Sequence, residues 1–178
     1  MSEIADRYRR RAAGFTARVE AVADDRWSRP SPCEGWTARD VVQHMTDGAA
    51  TFLRRVDREI PAASSPAALW AATRDMVQVA LDDPTVASTE YDTPMGRMSF
   101  EQGVDQFVSF DTLIHTWDLA RATGGDERLD PDDVHAAFEA SQPLDAMLRS
   151  PGVCGPKLDP PPGADEQTRL LAFLGRTA

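Results

Sequence analysis

From Ser99 to Gly125 the chain reads as one long helix with a defined start, a defined stop and a polar centre, which leaves little room for anything but a helical bundle. Ser99 precedes Gln102 by three residues, so each side chain can cap the other's backbone N–H at a helix N-terminus. Gly124 and Gly125 supply the glycine stop. Between them Val104, Val108, Asp111, His115 and Asp118 or Leu119 share one stripe. Such a stripe is buried against other elements, yet this one carries a carboxylate and an imidazole in its middle. Groups of that kind are costly to bury without partners.

Other stretches repeat the helical pattern. Ile4, Tyr8, Phe15, Val19 and Val22 fall three, four and seven apart and predict a first helix over 3–23. Ser28, Arg29, Pro30, Ser31, Pro32, Cys33, Glu34, Gly35 and Trp36 follow as a loop, because two prolines and a glycine punctuate it. Thr37 and Asp40 form a second capping pair. From there Val41, His44 or Met45, Gly48 and Phe52 share a face, and Pro61 marks the end of that helix. Ser65-Pro66 opens a third helix over 66–81, with Leu69, Trp70, Met76 and Val77 on its buried side. Residues 83–98 read as irregular, with a short hairpin or an extended lid as the alternatives over 89–98. Asp130-Pro131 starts a fifth helix that meets Pro143, and the proline-rich 150–164 is a surface loop before a short last helix over 165–175. The expected fold is therefore all-α: an up-down four-helix bundle with one or two additional short helices, spanning 1–178 as a single domain.

Composition removes several function classes. The net charge is -10 and the pI about 4.7, and an acidic surface repels nucleic acid and anionic lipid. Neither a nucleic-acid nor a membrane partner is expected. The charged start of the chain has no apolar segment behind it, and no run approaches the roughly 20 apolar residues of a membrane span, so the expected location is the cytoplasm. Cys33 and Cys154 form no CxxC motif and read as reduced thiols of the core or loops. Phosphate loops, the Gly-x-Ser-x-Gly elbow and a Ser–His–Asp order are missing from the sequence.

Chemistry points to a metal. Asp111 and His115, four apart, lie one turn apart on the same helix face, and can converge on one ion or bond to each other. His44 sits two turns into another capped helix among Val41, Val42 and Met45. Two imidazoles and one carboxylate on facing helices form a three-ligand set with positions left for water or substrate, the catalytic pattern for zinc. The same set suits iron, nickel or manganese. Asp118 is a further ligand candidate, a carboxylate behind His115, or a partner of Arg121. His135 reads as exposed. Trp36 and Trp117 read as core packing.

Pro32-Cys33-Glu34-Gly35-Trp36-Thr37, continuing through Asp40, Val41 and His44, resembles the N-terminal motif of the mycothiol-dependent maleylpyruvate isomerase-like proteins of the DinB-like metal-binding superfamily. Asp111-x3-His115-Thr116-Trp117-Asp118-Leu119-Ala120, ending in Ala122-Thr123-Gly124, resembles the second motif of that family. The tail Leu170-Leu171-Ala172-Phe173-Leu174-Gly175-Arg176 is similar to the closing segment of its short actinobacterial members. The resemblance implies a four-helix bundle with a divalent metal held by His44, Asp111 and His115. It also implies mycothiol, a small-molecule thiol, as co-substrate beside an electrophilic substrate. Where the better-characterised isomerases have glutamate this chain has Asp111, shorter by one methylene. Those isomerases also carry a further C-terminal domain that contributes to activity, so the isomerase reaction itself does not follow from the resemblance.

The expected function is a metal- and thiol-dependent transferase or isomerase. The alternatives are a metal-dependent hydrolase using the same ligands, and a non-enzymatic metal-binding or stress-response module. No residue stands out as a general acid or base. Arg97 and Arg121 are candidates for holding an anionic substrate, and the chain is expected to act as a monomer or homodimer.

Overall fold

Each long helix begins on the side chain that its sequence supplies. In the computed structural model, which describes residues 2–93, 96–150 and 152–178, α1 (Glu3–Glu20) starts at Ser2, whose hydroxyl accepts from the Ala5 N–H. The loop residue Pro151, and Pro94 and Met95 of the stretch read as irregular, lie outside the described residues. In α2 (Ala38–Leu53) the expected capping box is present: the Thr37 hydroxyl accepts from the Asp40 N–H, and the Asp40 carboxylate accepts from the Thr37 N–H at 2.8 Å and its hydroxyl at 2.6 Å. These bonds hold the Asp40 carboxyl below the usual carboxylate range. Ser65 caps α3 (Pro66–Asp82), with Pro66 in its first turn, where a missing N–H costs nothing.

The capping box makes a prediction. Thr37→Ala should lower stability by about 1 kcal/mol at neutral pH, the usual worth of an N-cap. Because Asp40 is depressed in the folded state, its contribution is present above the unfolded carboxyl pKa and is lost as pH falls through the folded one. The gap between variant and parent in urea unfolding should therefore narrow in acid. A gap that widens there would place the stabilisation elsewhere.

Residues 83–93 and 96–98, within the stretch expected to be irregular, carry regular elements. Asp83 caps a single turn, α4 (Pro84–Ala87), and a hairpin follows. Its strands β1 (Glu90–Thr93) and β2 (Gly96–Ser99) pair antiparallel with Tyr91 opposite Met98. Strands this short carry too little alternation for the period to be legible. The hairpin leads directly into α5 (Phe100–Gly103), where the Ser99–Gln102 capping box forms as expected. Gly103 is small for a reason: a Cβ there would overlap the Tyr91 hydroxyl and lie 2.8 Å from the Phe52 ring.

The long helix expected over 99–123 is continuous but not uniform. Between α5 and α6 (Phe110–Thr123) the backbone widens into a π-helical segment, Val104–Ser109. Such segments insert a residue into a helix and often lie at functional sites. Arg7 of α1 clasps this one through Asp105 at 2.8 and 3.0 Å. Gly124 ends α6 with φ +74°, the left-handed cap that the sequence signalled.

The chain divides into two compact units, Met1–Glu127 and Arg128–Ala178. The first is a four-helix bundle, and the protein is all-α in class apart from its hairpin. Around this bundle α1 packs against α3 and α6, and α2 packs against the same two helices. The connection between α1 and α2 thus crosses the bundle instead of joining neighbours. Tyr8, Phe15, Val41, Met45, Leu53, Trp70, Val77, Phe100 and Leu119 fill its core. Two buried polar bonds tie helices together: Thr46 Oγ1 to Thr73 Oγ1 at 2.9 Å, and Trp70 Nε1 donating to Thr16 Oγ1 at 2.8 Å. In the second unit α7 (Pro131–Ser141), with Asp130 as its cap, is followed by a turn, α8 (Asp145–Leu148), and α9 (Glu166–Phe173) packs on α7. No helix among the described residues is long and apolar enough to cross a membrane.

Candidate metal centre

The loop before α2 is folded back on itself. Pro30 and Thr37 form an antiparallel bridge, and the Ser31 N–H donates to the Trp36 carbonyl at 2.8 Å. At its tip the Trp36 N–H donates to the Cys33 carbonyl at 3.0 Å, with Gly35 at φ +77°. A tight turn with a positive φ at its third residue needs glycine there. The Cys-Glu-Gly-Trp sequence is thereby explained: it turns Cys33 and Trp36 back toward α2 and α6.

The three residues singled out by the sequence come together. Nε2 of His44 lies 3.5 Å from Oδ2 of Asp111, and the His44 and His115 rings meet edge to face at 4.9 Å. One ligand atom from each of His44, Asp111 and His115 lies within 4.8 Å of the others. Two ligands of one tetrahedral zinc, at bond lengths of about 2.1 Å, sit about 3.4 Å apart. The His44–Asp111 spacing already has that value. Two imidazoles and a carboxylate are also a donor set that zinc and its neighbours accept. The residues present therefore fit a divalent ion. His44 and Asp111 are half-exposed and His115 is buried, so the group opens to solvent on one side.

Behind His115 stands Asp118, with no exposure at all. Its Oδ2 is 2.8 Å from Nδ1 of His115, and it accepts from the Cys33 thiol at 3.5 Å. The carboxylate thus occupies one ring nitrogen and leaves Nε2 for an ion held with His44 and Asp111. A carboxylate behind a ligating histidine is the usual way of fixing its tautomer and orientation. Cys33, His115 and Asp118 make a second group whose ligand atoms all lie within 4.8 Å.

Sequence reasoning placed Cys33 among reduced core or loop thiols and Trp36 in core packing, and Trp36 does pack, partly buried, against the core. In the fold the Trp36 ring lies 4.7 Å from that of His44 and 6.0 Å from that of His115, covering both imidazoles. Spacing along the chain could not reveal this, since the contacts are made across helices by a loop. Trp117 is buried, with the Arg121 guanidinium 4.8 Å over its ring. The arginines considered for an anionic substrate are engaged by carboxylates: Arg97 by Glu90 at 2.8 Å and Arg121 by Glu127 at 3.0 Å. His135 is exposed as expected. Its partner Glu166, 3.0 Å away, raises its pKa.

The fold and this site define a helical bundle in which two imidazoles and a carboxylate from facing helices converge. The family described as "Mycothiol maleylpyruvate isomerase N-terminal domain" matches residues 8–71, which hold Cys33, Trp36 and His44 but end before Asp111 and His115. The uncharacterized proteins Rv0738 and MT0763, from two strains of Mycobacterium tuberculosis, are each 30% identical to this chain over 177 residues, covering 96% of it and 96% of their own length. The chain belongs to one family with these mycobacterial proteins, and its residues 8–71 match a mycothiol maleylpyruvate isomerase N-terminal domain. No solved structure matches it.

Proposed function

We propose that this protein holds one divalent metal through His44, Asp111 and His115 and uses it in a thiol-dependent transfer or isomerisation, with mycothiol or a similar low-molecular-weight thiol as co-substrate. The observation that carries the reading is the convergence of two imidazoles and a carboxylate, from α2 and α6, at coordination spacing on a half-open face. The family match supports the thiol. A divalent ion there supplies Lewis acidity, lowering the pKa of a thiol or water that joins it. Zinc is the first choice because it accepts a sulfur ligand alongside imidazoles.

The chain's own groups have separate tasks. Asp118 holds Nδ1 of His115 and so aims the opposite nitrogen. Trp36 shields one side of both imidazoles from water and offers a flat apolar wall to a substrate. The reaction class is addition of the thiol S–H across an electrophilic double bond. Departure of the thiol after bond rotation completes an isomerisation, and retention completes an S-transfer.

Elemental analysis of untagged protein beside His44→Ala tests the metal. Near-stoichiometric metal in the parent and little in the variant is expected, as loss of a ligand should exceed the roughly 10–100-fold affinity cost of losing an outer partner. A parent that takes up no zinc, nickel, iron or manganese even on reconstitution would sink the reading. Turnover of electrophiles that proceeds equally without thiol would replace the transferase with a hydrolase.

A further inference from the structure

Asp118 faces two ways, and its second face is unused by the function proposed above. We propose that Cys33, Asp118 and Nδ1 of His115 form a second, thiolate-bearing ligand set for a thiophilic divalent ion, in competition with the His44 and Asp111 set for the single imidazole of His115.

The spacing supports coordination. With Zn–S near 2.3 Å and Zn–O near 2.0 Å, two ligands of one tetrahedral ion lie about 3.5 Å apart. Cys33 Sγ and Asp118 Oδ2 are 3.5 Å apart. Nδ1 of His115, at 2.8 Å from the same oxygen, would have to withdraw by roughly half an ångström, within the reach of a small ring rotation. Cys33 is half-buried on the loop, which gives an ion a route in, whereas Asp118 and His115 are buried. A dication there offsets the charge of a carboxylate removed from water. On binding, the thiol releases its proton to solvent and the sulfur donates its electron pair to the ion, with no change of oxidation state.

Competition follows from the chemistry of imidazole. A neutral ring has one nitrogen with a free lone pair and one with a proton. Held through Nε2, His115 serves His44 and Asp111 while its Nδ1–H donates to Asp118. Held through Nδ1, it serves Cys33 and Asp118. Soft ions favour the thiolate set, and harder ions the set with two imidazoles and a carboxylate. The choice of metal would thus decide whether the half-open site is assembled. The second set needs neither His44 nor Asp111, so it can stand if the first fails.

The test is a Cd2+ titration of the full chain, stripped by chelator and reduced, read by the ultraviolet sulfur-to-metal charge-transfer band and by calorimetry. The expected result is a band that saturates at a single equivalent in the parent, persists in His44→Ala and Cys154→Ser, and disappears in Cys33→Ser. Far-ultraviolet circular dichroism checks that Cys33→Ser is folded, and the loop's own hydrogen bonds engage residue 33 through its backbone N–H and carbonyl, which serine keeps. Asp118→Asn should shift the saturation to at least tenfold higher Cd2+ if the carboxylate is a ligand. A band that survives in Cys33→Ser, or disappears in Cys154→Ser, overturns the proposal. So does loss of the band in His44→Ala, which would make the thiol an extra ligand of the first set. Cd2+ bound without any band, and lost in His44→Ala, sinks this set and spares the first. Two equivalents bound in the parent refute the competition.

Discussion

His115→Ala should lose both the metal and a large part of the protein's stability. The side chain is 7% exposed and its Nδ1 meets a carboxylate that is wholly buried. Removing one partner of a buried charged pair strips the other of a main compensation, here the His115 ring beside Asp118, at a cost of about 3–5 kcal/mol. For a chain of this length that lowers the midpoint of thermal unfolding by on the order of 10 °C. The same substitution removes the one residue common to both ligand sets, so no divalent ion should be retained by either. Thermal melts with and without added Zn2+ check both parts: the parent's midpoint should rise with the ion and the variant's should not. A variant that melts with the parent, and still responds to Zn2+, would show that neither the pair nor the site is as described. His44→Ala separates the effects. His44 is 36% exposed, so this variant should lose the ion held with Asp111 and His115, with little loss of apo stability.

Trp70→Ala should be about as damaging for a purely structural reason. Trp70 is 1% exposed, packs edge-on against Phe15 at 4.6 Å between centroids and donates to Thr16 of α1. Truncating a buried aromatic costs about 3–5 kcal/mol, part of it for the cavity left behind. Trp70→Phe should recover most of that, losing chiefly the hydrogen bond, worth about 1 kcal/mol. Urea unfolding of both variants measures the difference. If the alanine variant lies within about 1 kcal/mol of the parent, the α1–α3 contact does not hold the bundle. The consequence reaches the site, because α3 packs against α2 and α2 carries His44.

The second ligand set gives the Pro32–Trp36 loop a reason beyond linking two helices. One residue of the tight turn reaches Asp118 and the next but two covers both imidazoles. Glycine at 35 is what permits this, since the turn requires a positive φ there. The π-helical segment ends at Ser109, two residues before Asp111. Its extra residue sets the rotation of α6 relative to α5, and so sets which residues of α6 face α2.

What local chemistry governs was legible in the sequence. Thr37 with Asp40, Ser99 with Gln102, Ser65 with Pro66, and Gly124 are signals read within one turn of chain, and each marks a helix end in the structure. The pairing of Asp111 with His115 follows from the helical repeat alone. His44 could be nominated because an imidazole among apolar neighbours needs a partner. What depends on how distant elements meet was not legible. The strands at 90–93 and 96–99 are too short to show a period, and a π-turn blurs a period without breaking it. The crossing between α1 and α2 follows from how four apolar stripes pack together, which no single stripe encodes. Asp118 could be named from its spacing, but its partners, the ring of His115 and the thiol of Cys33, were fixed only when a loop 85 residues away in sequence closed over α6. The sequence by itself determined the helices, their ends and the pairing of Asp111 with His115 on one helix face, because these follow from backbone geometry within a few residues. Tertiary structure alone decided which nitrogen of His115 is held and which thiol faces it, because those are contacts between surfaces and exist only once the bundle has packed.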